Sequence, residues 1–418
     1  MKIAGIDIGT TSVCGIILGT ETGAIEKSVT KNSDAFITGC ESFEKIQSVE
    51  KIMDKAMDIV HSFTEYGIDA IGVTGQMHGI VYTDARGNAV SPLYTWQDER
   101  GNLPYKNTTY AGYLDSCSGY GAVTDFYNRE NGIRPENAVN YCTIHDYLVM
   151  KLCNLETPII HETDYASFGK GVSDKRAQVV SNFALAGNYG NIPVAVAIGD
   201  NQASVFSTLK GDSVLVNVGT GSQVSVVSDV SVNNSQVETR PYFDGKYLLV
   251  GAALCGGRAY ALLKDFYSEV LSYVIPSEED MVYGIMNRML MKNRDPLSVD
   301  TRFAGTRSDK NITGSITGIT ESNFNPESLT SGVIKGMADE LYNMYLAMNT
   351  PTNGLVGSGN GIRKNPALAK VTEEVFGHKL KTPLHTEEAA CGAALFAGVA
   401  SGIFENSQAA QSLIKYEE

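Results

Sequence analysis

The sequence IDIGTTS at residues 6–12 returns in altered form as VNVGTGS at residues 216–222, about half of the 418-residue chain later. In each copy, alternating apolar residues run into a Gly-Thr-x-Ser turn, and a second apolar run follows, VCGIIL after the first copy and QVSVVS after the second. Alternation with a period of two predicts strands, and the glycine turn between them predicts a β-hairpin. Two such hairpins half a chain apart predict a duplicated α/β domain.

Between the two hairpins lies VAVAIGDNQASVFS, residues 194–207. Its small and apolar residues end at a glycine, and an acid and two amides follow. This pattern predicts a buried strand that delivers Asp200, Asn201 and Gln202 to an open sheet edge, with a helix starting behind them. Asp is also a common helix N-cap, so the stretch alone leaves open a purely structural role for Asp200.

The first half has its elements in a definite order. Apolar periodicity predicts strands over 2–8, 13–18 and 24–30, an amphipathic helix over 43–63 and a strand over 70–74. Three strands, a helix and a strand resemble the opening of a ribonuclease-H-like α/β domain, the unit that actin and Hsp70 share. The second half starts in the same way, which extends the prediction to two such domains.

Three further segments are predicted outside this order of elements. Thr143 is a candidate cap for a helix that runs to Leu152, and residues 161–171 are predicted to form a loop. A helical excursion is predicted over 277–292, where the first half has nothing equivalent.

Composition narrows the class of protein. Hydrophobic residues make up 43% and charged residues 19%, which is ordinary for a soluble globular protein, and the net charge of −14 argues against a nucleic-acid partner. Seven cysteines without metal-ligand spacing are expected to be free thiols in a reducing compartment. No apolar run has membrane-spanning length, and Asp7 would interrupt the core of a signal peptide, so we expect a cytoplasmic protein.

Polar and aromatic residues gather after the strands that follow the first helix. His78 supplies a hydrogen-bond donor and acceptor, Trp96 is the only tryptophan and an apolar platform, and Asp98 with Arg100 forms a charged pair. Such a set suits a polyhydroxylated ligand, whose C–H faces stack and whose hydroxyls need hydrogen bonds. The alternative is that Trp96 belongs to the core and that Asp98 and Arg100 form a local ion pair.

A glycine-rich turn, LVGSGNG at residues 355–361, follows a predicted strand near the end of the chain. Asn365 is expected to cap the next helix with Pro366 at its first position. Glycines there would let the backbone approach a flat ligand. The turn matches neither the Walker nor the dinucleotide fingerprint, so an ordinary strand-turn-helix remains the alternative.

Taken in order, these motifs resemble the FGGY carbohydrate kinases over essentially the whole chain. Within that family they are most like sedoheptulokinases, with xylulokinases next. The motifs that carry the resemblance are IDIGTTS from residue 6, GVTGQMHG from 72, TWQDER from 95, TIHDY from 143, AIGDNQASV from 197, NVGTGSQ from 217, GSGNGIRKNPAL from 357 and EEAACGAAL from 387.

The resemblance implies two actin-like domains around a central cleft, residues 1–208 with the sugar site and 209–418 with the ATP site. It implies that Asp200 is the general base and that Asp7 and Asp200 hold Mg²⁺. The residues implied to contact the sugar are Gln76, Met77, His78, Trp96, Asp98 and Asn201. Those implied to contact ATP are Thr10, Thr11, Ser12, Gly219, Thr220, Gly357, Ser358, Gly359, Asn360 and Asn365.

The activity implied is ATP-dependent phosphorylation of a small-molecule ketose on a primary hydroxyl, with no nucleic-acid or membrane partner and with a homodimer left open. A pentulose kinase is the alternative, because Glu99 stands where relatives commonly carry glycine, the GDNQ motif is closer to xylulokinases and the chain is shorter than most members. A conformational ATPase like actin or Hsp70 would not need the His78 and Trp96 cluster. A sugar-binding regulator would be expected to lack Asp7 or Asp200, and both are present.

Overall fold

The structure is a computed structural model that describes residues 1–171, 177–273, 279–292, 295–306, 309 and 311–417. The chain forms two compact units. The first comprises Met1–Thr208, Pro241–Gly245 and His385–Lys415, and the second comprises Leu209–Arg240, Lys246–Leu384 and Tyr416–Glu418.

The strands are, in chain order, β1 (Lys2–Ile8), β2 (Ser12–Gly19), β3 (Ile25–Asn32), β4 (Ile46–Gln47), β5 (Ala70–Gly75), β6 (Val81–Thr83), β7 (Leu93–Tyr94), β8 (Pro104–Tyr105), β9 (Thr108–Thr109), β10 (Asn140–Cys142), β11 (Ile159–His161), β12 (Gln178–Val180), β13 (Leu185–Tyr189), β14 (Ile192–Ala195), β15 (Ile198–Gly199), β16 (Ser213–Val218), β17 (Ser222–Ser228), β18 (Glu238–Pro241), β19 (Tyr247–Ala253), β20 (Ser298–Asp300), β21 (Ser315–Thr317), β22 (Gly354–Ser358) and β23 (Leu380–Lys381).

The helices follow in the same order, with short 3₁₀ turns at Arg100–Asn102 and Phe243–Gly245. They are α1 (Val49–Thr64), α2 (Tyr110–Tyr113), α3 (Gly121–Glu130), α4 (Ile144–Cys153), α5 (Glu162–Ser167), α6 (Asp200–Thr208), α7 (Gly256–Ser272), α8 (Glu279–Leu290), α9 (Pro326–Ala347), α10 (Gly359–Lys364), α11 (Pro366–Phe376), α12 (Glu388–Ala400) and α13 (Ser407–Gln411).

Each unit is built on one mixed sheet, and the two sheets repeat one arrangement. In the first, the order is β13-β14-β5-β1-β2-β3, with β15 also paired to β5. In the second, it is β18-β19-β17-β16-β22-β23. In both, an antiparallel hairpin occupies the centre, and the strand beside its first member runs parallel to that member. The duplication predicted from the two hairpin sequences is therefore present in the sheets.

The first helix begins later than its apolar period predicts. Helix α1 starts at Val49 because Ser48 caps it, with its hydroxyl accepting a hydrogen bond from the backbone N–H of Lys51 at 3.3 Å. Ile46 lies outside the helix and pairs instead with Tyr94 in a short antiparallel ladder. The prediction of helix from residue 43 was thus wrong for its first turns, because a strand pairing took those residues.

Two other predicted segments can be compared with the structure. The predicted loop over 161–171 contains helix α5, whose first turn is capped by the ring of His161 accepting from the N–H of Thr163. The predicted helix over 277–292 corresponds to α8, and its first predicted residues, Ser277 and Glu278, lie outside the described residues.

Helix α12 lies in the first unit although its sequence falls in the second half of the chain. Its backbone packs directly on strand glycines: a Cβ on Gly5 would lie 1.9 Å from the carbonyl oxygen of Ala390, and one on Gly72 equally close to that of Ala393. Residues 385–415 therefore pack in the first unit, although the predicted division at residue 208 assigns them to the second. Among the helices that the structure describes, none combines the length and the apolar character needed to cross a membrane.

Candidate active site

Three strands of the first sheet end side by side. Gly75, the last residue of β5, pairs on one side with Ile8 and on the other with Gly199. Because these strands run parallel to one another, the residues that follow them emerge at one edge of the sheet. Gln76 and Asp200 are therefore neighbours at an edge where the hairpin turn after Ile8 also begins.

Asp7 lies one residue before the end of β1 and is partly exposed, but its Oδ1 is buried and has no hydrogen-bond partner among the described residues. Withdrawal from water and the charge of Asp200 raise the pKa of Asp7 to about 7, with Glu387 adding to the effect and His145 opposing it. A bound cation would favour the ionised form of such a carboxyl group.

The turn between β1 and β2 is held from both sides by side chains. Gln47 donates through Nε2 to the carbonyl oxygen of Thr10 at 2.6 Å, and Trp96 donates through Nε1 to the hydroxyl of Thr10 at 3.0 Å. Thr11 at the tip is exposed, and Ser12 opens β2. The Trp96 side chain is 46% exposed, so it is not part of the core, and one ring edge faces the hairpin turn.

Gln76 and Met77 are buried at the end of β5. Gln76 donates through Nε2 to Gln47 Oε1 at 3.0 Å, while its own Oε1 is buried with no partner in the described part of the chain. Met77 packs against Gly199, where an added Cβ would lie 2.6 Å from the Met77 methyl carbon. A side chain at position 199 would therefore have to displace the end of Met77.

His78 has a positive φ of 73°, a backbone conformation that is uncommon for residues other than glycine. The ring stacks on Tyr120 with centroids 4.2 Å apart and planes 6° from parallel. Nδ1 donates to the carbonyl oxygen of Ser167 at 2.8 Å, and the Ser167 hydroxyl accepts from the His78 backbone N–H at 3.2 Å. Because a carbonyl only accepts, Nδ1 carries a proton, and in the neutral ring Nε2 is then the nitrogen that can accept one.

Asp98 is 1% exposed, and its carboxylate accepts hydrogen bonds from other groups of the protein. Arg100, itself fully buried, donates through Nε at 2.6 Å and through Nη2 at 3.1 Å, and the backbone N–H of Lys45 donates at 3.0 Å. Arg100 also reaches Asn128 Oδ1 at 2.6 Å. The local ion pair that the sequence left open is therefore present, and a sugar contact by Asp98 remains a prediction that this geometry does not favour.

Asp200 is the first residue of α6 and is partly exposed, as is Asn201 after it. Gly199 is fixed by its pairing with Gly75 and by a hydrogen bond from its N–H to the hydroxyl of Thr163 at 3.2 Å. A carboxylate at the first turn of a helix is also favoured by the helix dipole. Asp200 and Asn201 lie at the sheet edge as the sequence predicts, but Gln202, which was predicted at the same open edge, is fully buried.

A buried charge cluster lies behind this edge and was not assigned a role from the sequence. His145 is fully buried, its Nε2 lies 3.0 Å from Asp164 Oδ1, and a Cβ on Gly75 would come within 2.9 Å of its Nδ1. Burial works against a charge on His145, but the carboxylates of Asp164, Asp146 and Asp200 raise its pKa to about 9. The TIHDY motif was the available signal, since it carries two of these residues.

The second unit contains a cavity of about 710 Å³ beside its own hairpin turn. Four residues predicted to contact a nucleotide line it: Gly219, Thr220, Asn360 and Asn365. Asn365 also caps α11, with its Oδ1 accepting from the N–H of Leu368 at 3.1 Å.

Gly357, Ser358 and Gly359 do not line this cavity. Gly357 and Ser358 are buried at the end of β22, and the Ser358 hydroxyl accepts from Asn217 Nδ2 at 2.8 Å. Gly359 has a φ of 81°, and an added Cβ there would lie 2.5 Å from the carbonyl oxygen of Val218. These residues shape the turn, and a direct contact with a nucleotide remains a prediction for them.

The cavity has other lining residues that the sequence did not assign to the nucleotide, and most of them lie on helices outside the quoted motifs. They are Gly257, Arg258, Tyr260, Ala261, Tyr283, Asn287, Ile334, Met337, Gly361, Lys364 and Leu368. The pair Gly256-Gly257 was the available signal, because a Cβ on either glycine would press into the backbone of the hairpin turn at 2.5 Å or less. Tyr260 and Tyr283 stack with ring centroids 5.9 Å apart and give the cavity an aromatic wall.

Known proteins are similar to this chain across both of its units. Mouse (Mus musculus) sedoheptulokinase is 26% identical over 89% of this chain and 92% of its own length. Among solved structures, a xyloylose kinase from Brucella ovis superimposes with a TM-score of 0.84 at 18% identity, over 100% of this chain and 94% of that one. Xylulose kinase from Rhodospirillum rubrum also has a TM-score of 0.84, at 16% identity over 100% and 93%. The two structures show that the fold is that of two actin-like, ribonuclease-H-like α/β domains.

Models of one protein family match a large part of each half of the sequence. The N-terminal domain model of the FGGY family of carbohydrate kinases matches residues 2–116, and the C-terminal domain model matches residues 214–401. Together the matches span most of the chain and include both hairpin turns. The chain therefore belongs to the FGGY family of carbohydrate kinases, enzymes that transfer a phosphoryl group from ATP to a sugar.

Proposed function

We propose that this chain phosphorylates a sedoheptulose-like ketose on a terminal primary hydroxyl, with Asp200 as general base and ATP with Mg²⁺ as the donor. The observation that carries the proposal is the common edge of β1, β5 and β15, at which Asp200 adjoins the Gln76–His78 segment. Sedoheptulokinase is also the activity named for the mouse relative.

In the proposed reaction Asp200 takes the proton of the sugar hydroxyl while the hydroxyl oxygen bonds to the γ-phosphorus. The bond from that phosphorus to the β–γ bridging oxygen breaks, and ADP leaves with the electron pair. In a loose transition state the hydroxyl loses its proton late, so an oriented carboxylate is a sufficient base. His78 and the exposed face of Trp96 are proposed to orient the sugar, together with Asn201.

Asp7 and Asp200 suit a Mg²⁺ ion that phosphates help to hold. Protein Mg²⁺ sites on nucleotides commonly use one or two carboxylates and keep several waters. The Oδ1 of Asp7, buried and without a hydrogen-bond partner in the described part of the chain, is an oxygen available for such a role. Within the described ranges no group of three or more His, Cys, Asp or Glu is placed to hold a metal ion. The ion would neutralise charge on the transferring phosphoryl group.

The nucleotide is proposed to bind in the cavity of the second unit. Its lining has the features that a purine nucleotide needs, with aromatic rings, backbone-exposing glycines at the hairpin turn and the amides of Asn360 and Asn365. Thr10, Thr11 and Ser12 on the first hairpin are proposed to contact phosphates through hydroxyl and backbone N–H groups.

The test is ADP release with Mg-ATP against a panel of sedoheptulose, D-xylulose, D-ribulose, L-ribulose, D-fructose, glycerol and no sugar. We expect the strongest stimulation by sedoheptulose. If a pentulose is the best substrate, the pentulose alternative replaces sedoheptulose in this proposal. Glu99, exposed beside the Asp98–Arg100 pair, is the residue that supports that alternative. Sugar-independent ADP release would contradict the proposal and favour a conformational ATPase.

A further inference from the structure

Gln202 is fully buried two residues after Asp200, in the first turn of α6. Its Nε2 donates to the carbonyl oxygen of Pro241 at 3.1 Å, and its Oε1 is buried without a hydrogen-bond partner among the described residues. A buried amide is costly unless it is hydrogen-bonded, so the bond to Pro241 is what fixes the orientation of the side chain. Pro241 begins a short segment, Pro241–Gly245, that we call the strap.

The strap is anchored in the first unit by one aromatic ring. Phe243 is 1% exposed, and its centroid lies 5.1 Å from those of Phe206 and Phe396 and 5.4 Å from that of Phe183. Burial of the ring and its aromatic contacts both stabilise the strap in this position. The strap is thus a fixed support that can determine the position of groups bound to it.

The strap contacts α6 at two points on one face. Gln202 and Phe206 are four residues apart in the helix, so their side chains lie one above the other. One touches the strap through Pro241 and the other through Phe243. The first turn of α6, where Asp200 lies, is therefore held by Gln202 at the strap, and Gly199 just before it is held by its hydrogen bond to Thr163.

From this geometry we propose that Gln202 is a positioning residue for phosphoryl transfer, which fixes the Asp200 carboxylate by tying the first turn of α6 to the strap. The inference rests on the proposed role of Asp200 as general base. A misplacement of a catalytic group by about 1 Å can lower a rate by on the order of 100-fold, so the loss of this tie is expected to appear in turnover. Substrate binding does not depend on it.

The test compares steady-state kinetics of Gln202→Met and Gln411→Met. Methionine keeps the length and flexibility of glutamine and removes the amide. Gln411 is a matched control because its Nε2 reaches the carbonyl oxygen of Phe206, at the far end of the same helix, at 3.4 Å. We expect Gln202→Met to lower kcat by roughly 10- to 100-fold with KM for sugar and for ATP within about twofold, and Gln411→Met to leave kcat within about twofold.

Retention of full kcat by Gln202→Met would overturn the inference, and so would a raised sugar KM at unchanged kcat, which would make Gln202 a substrate contact. Equal losses in the two variants would indicate general loosening of α6 and would also overturn it. If Gln202→Met does not fold, Phe243→Leu decides, since a weakened strap should lower kcat in the same selective way. Asp200→Asn in the same series separates the two proposals: an active Asp200→Asn enzyme would remove the general-base assignment, whatever Gln202→Met does.

Discussion

The imidazole of His145 lies fully buried among the carboxylates of Asp146, Asp164 and Asp200, with Asp7 also within range of its charge. Its pKa of about 9 is above the value of about 6.5 for an unfolded chain. A group whose pKa is raised by folding stabilises the native state below the unfolded value and loses that contribution as the pH rises through the folded value. His145 should therefore stabilise the first unit at neutral pH and cease to do so above pH 9.

This predicts a pH-dependent difference between the wild type and His145→Gln. From pH 8 to pH 10.5, carboxyl groups with a pKa near 7 are ionised throughout, so the difference in unfolding free energy reports on the imidazole. We expect the advantage of the wild type to shrink by about 1–2 kcal/mol over this range. Urea unfolding followed by the fluorescence of Trp96, the only tryptophan, measures it in the first unit. A constant difference would mean that His145 is neutral and acts through packing.

At the scale of elements, the packing of α12 depends on glycines in the strands that it covers and on a glycine of its own. Besides its contacts with Gly5 and Gly72, its own Gly392 lies against α6, where an added Cβ would be 1.9 Å from the carbonyl oxygen of Ala203. Approach this close brings the helix backbone onto the sheet and onto α6, the helix that begins with Asp200. An added methyl group must move a backbone, because no flexible side chain is available to yield.

Gly72→Ala is therefore expected to lower the free energy of unfolding by about 3 kcal/mol, as a methyl group is forced into a packed interface. Gly19→Ala is the control in the same unit, because the only atoms close to its new methyl group are the flexible end of Glu26, at 2.6 Å, with Thr22 at ordinary contact distance. Both are measured by urea unfolding with Trp96 fluorescence. Equal stability of the two variants would show that α12 can shift away from β5 at little cost.

At the scale of the whole molecule, the proposed sugar site and the proposed nucleotide cavity lie on different units. Hydrogen exchange followed by mass spectrometry should then separate the ligands. We expect ADP alone to slow exchange at 219–221, 257–261 and 360–365, because a bound ligand suppresses local opening of the segments that hold it. A ketose alone should slow exchange at 76–78. Protection of 76–78 by ADP without sugar would contradict this assignment.

The sequence was a good guide to the fold because each strand pattern agreed with a turn signal beside it. The two hairpins, the cap at Asn365 and the helix after Thr143 appear as their residues predict. The start of α1 was predicted wrongly, because the apolar spacing is the same on both sides of Ser48. Only the pairing of Ile46 with Tyr94 distinguishes the two sides. Local periodicity carries no information about such long-range pairings.

For the site, the sequence indicated which residues gather but not how their polar groups are used. Asp98 and Ser358 look like ligand contacts in sequence, and each is engaged by another protein side chain, Arg100 or Asn217. The Gln202–Pro241 hydrogen bond joins residues 39 positions apart and has no sequence signal at all. Partners that are distant in the chain could only be found in the structure.

The measurement that tests the account most directly is sugar-stimulated ADP release by wild type and Asp200→Asn, with ADP binding measured for both. Loss of a general base should lower kcat by on the order of 10²–10⁴-fold. We predict that loss in Asp200→Asn, with binding of ADP measured without Mg²⁺ unchanged because Asp200 does not line the nucleotide cavity. Sugar-stimulated turnover of Asp200→Asn close to that of the wild type would contradict the central claim that Asp200 is the base.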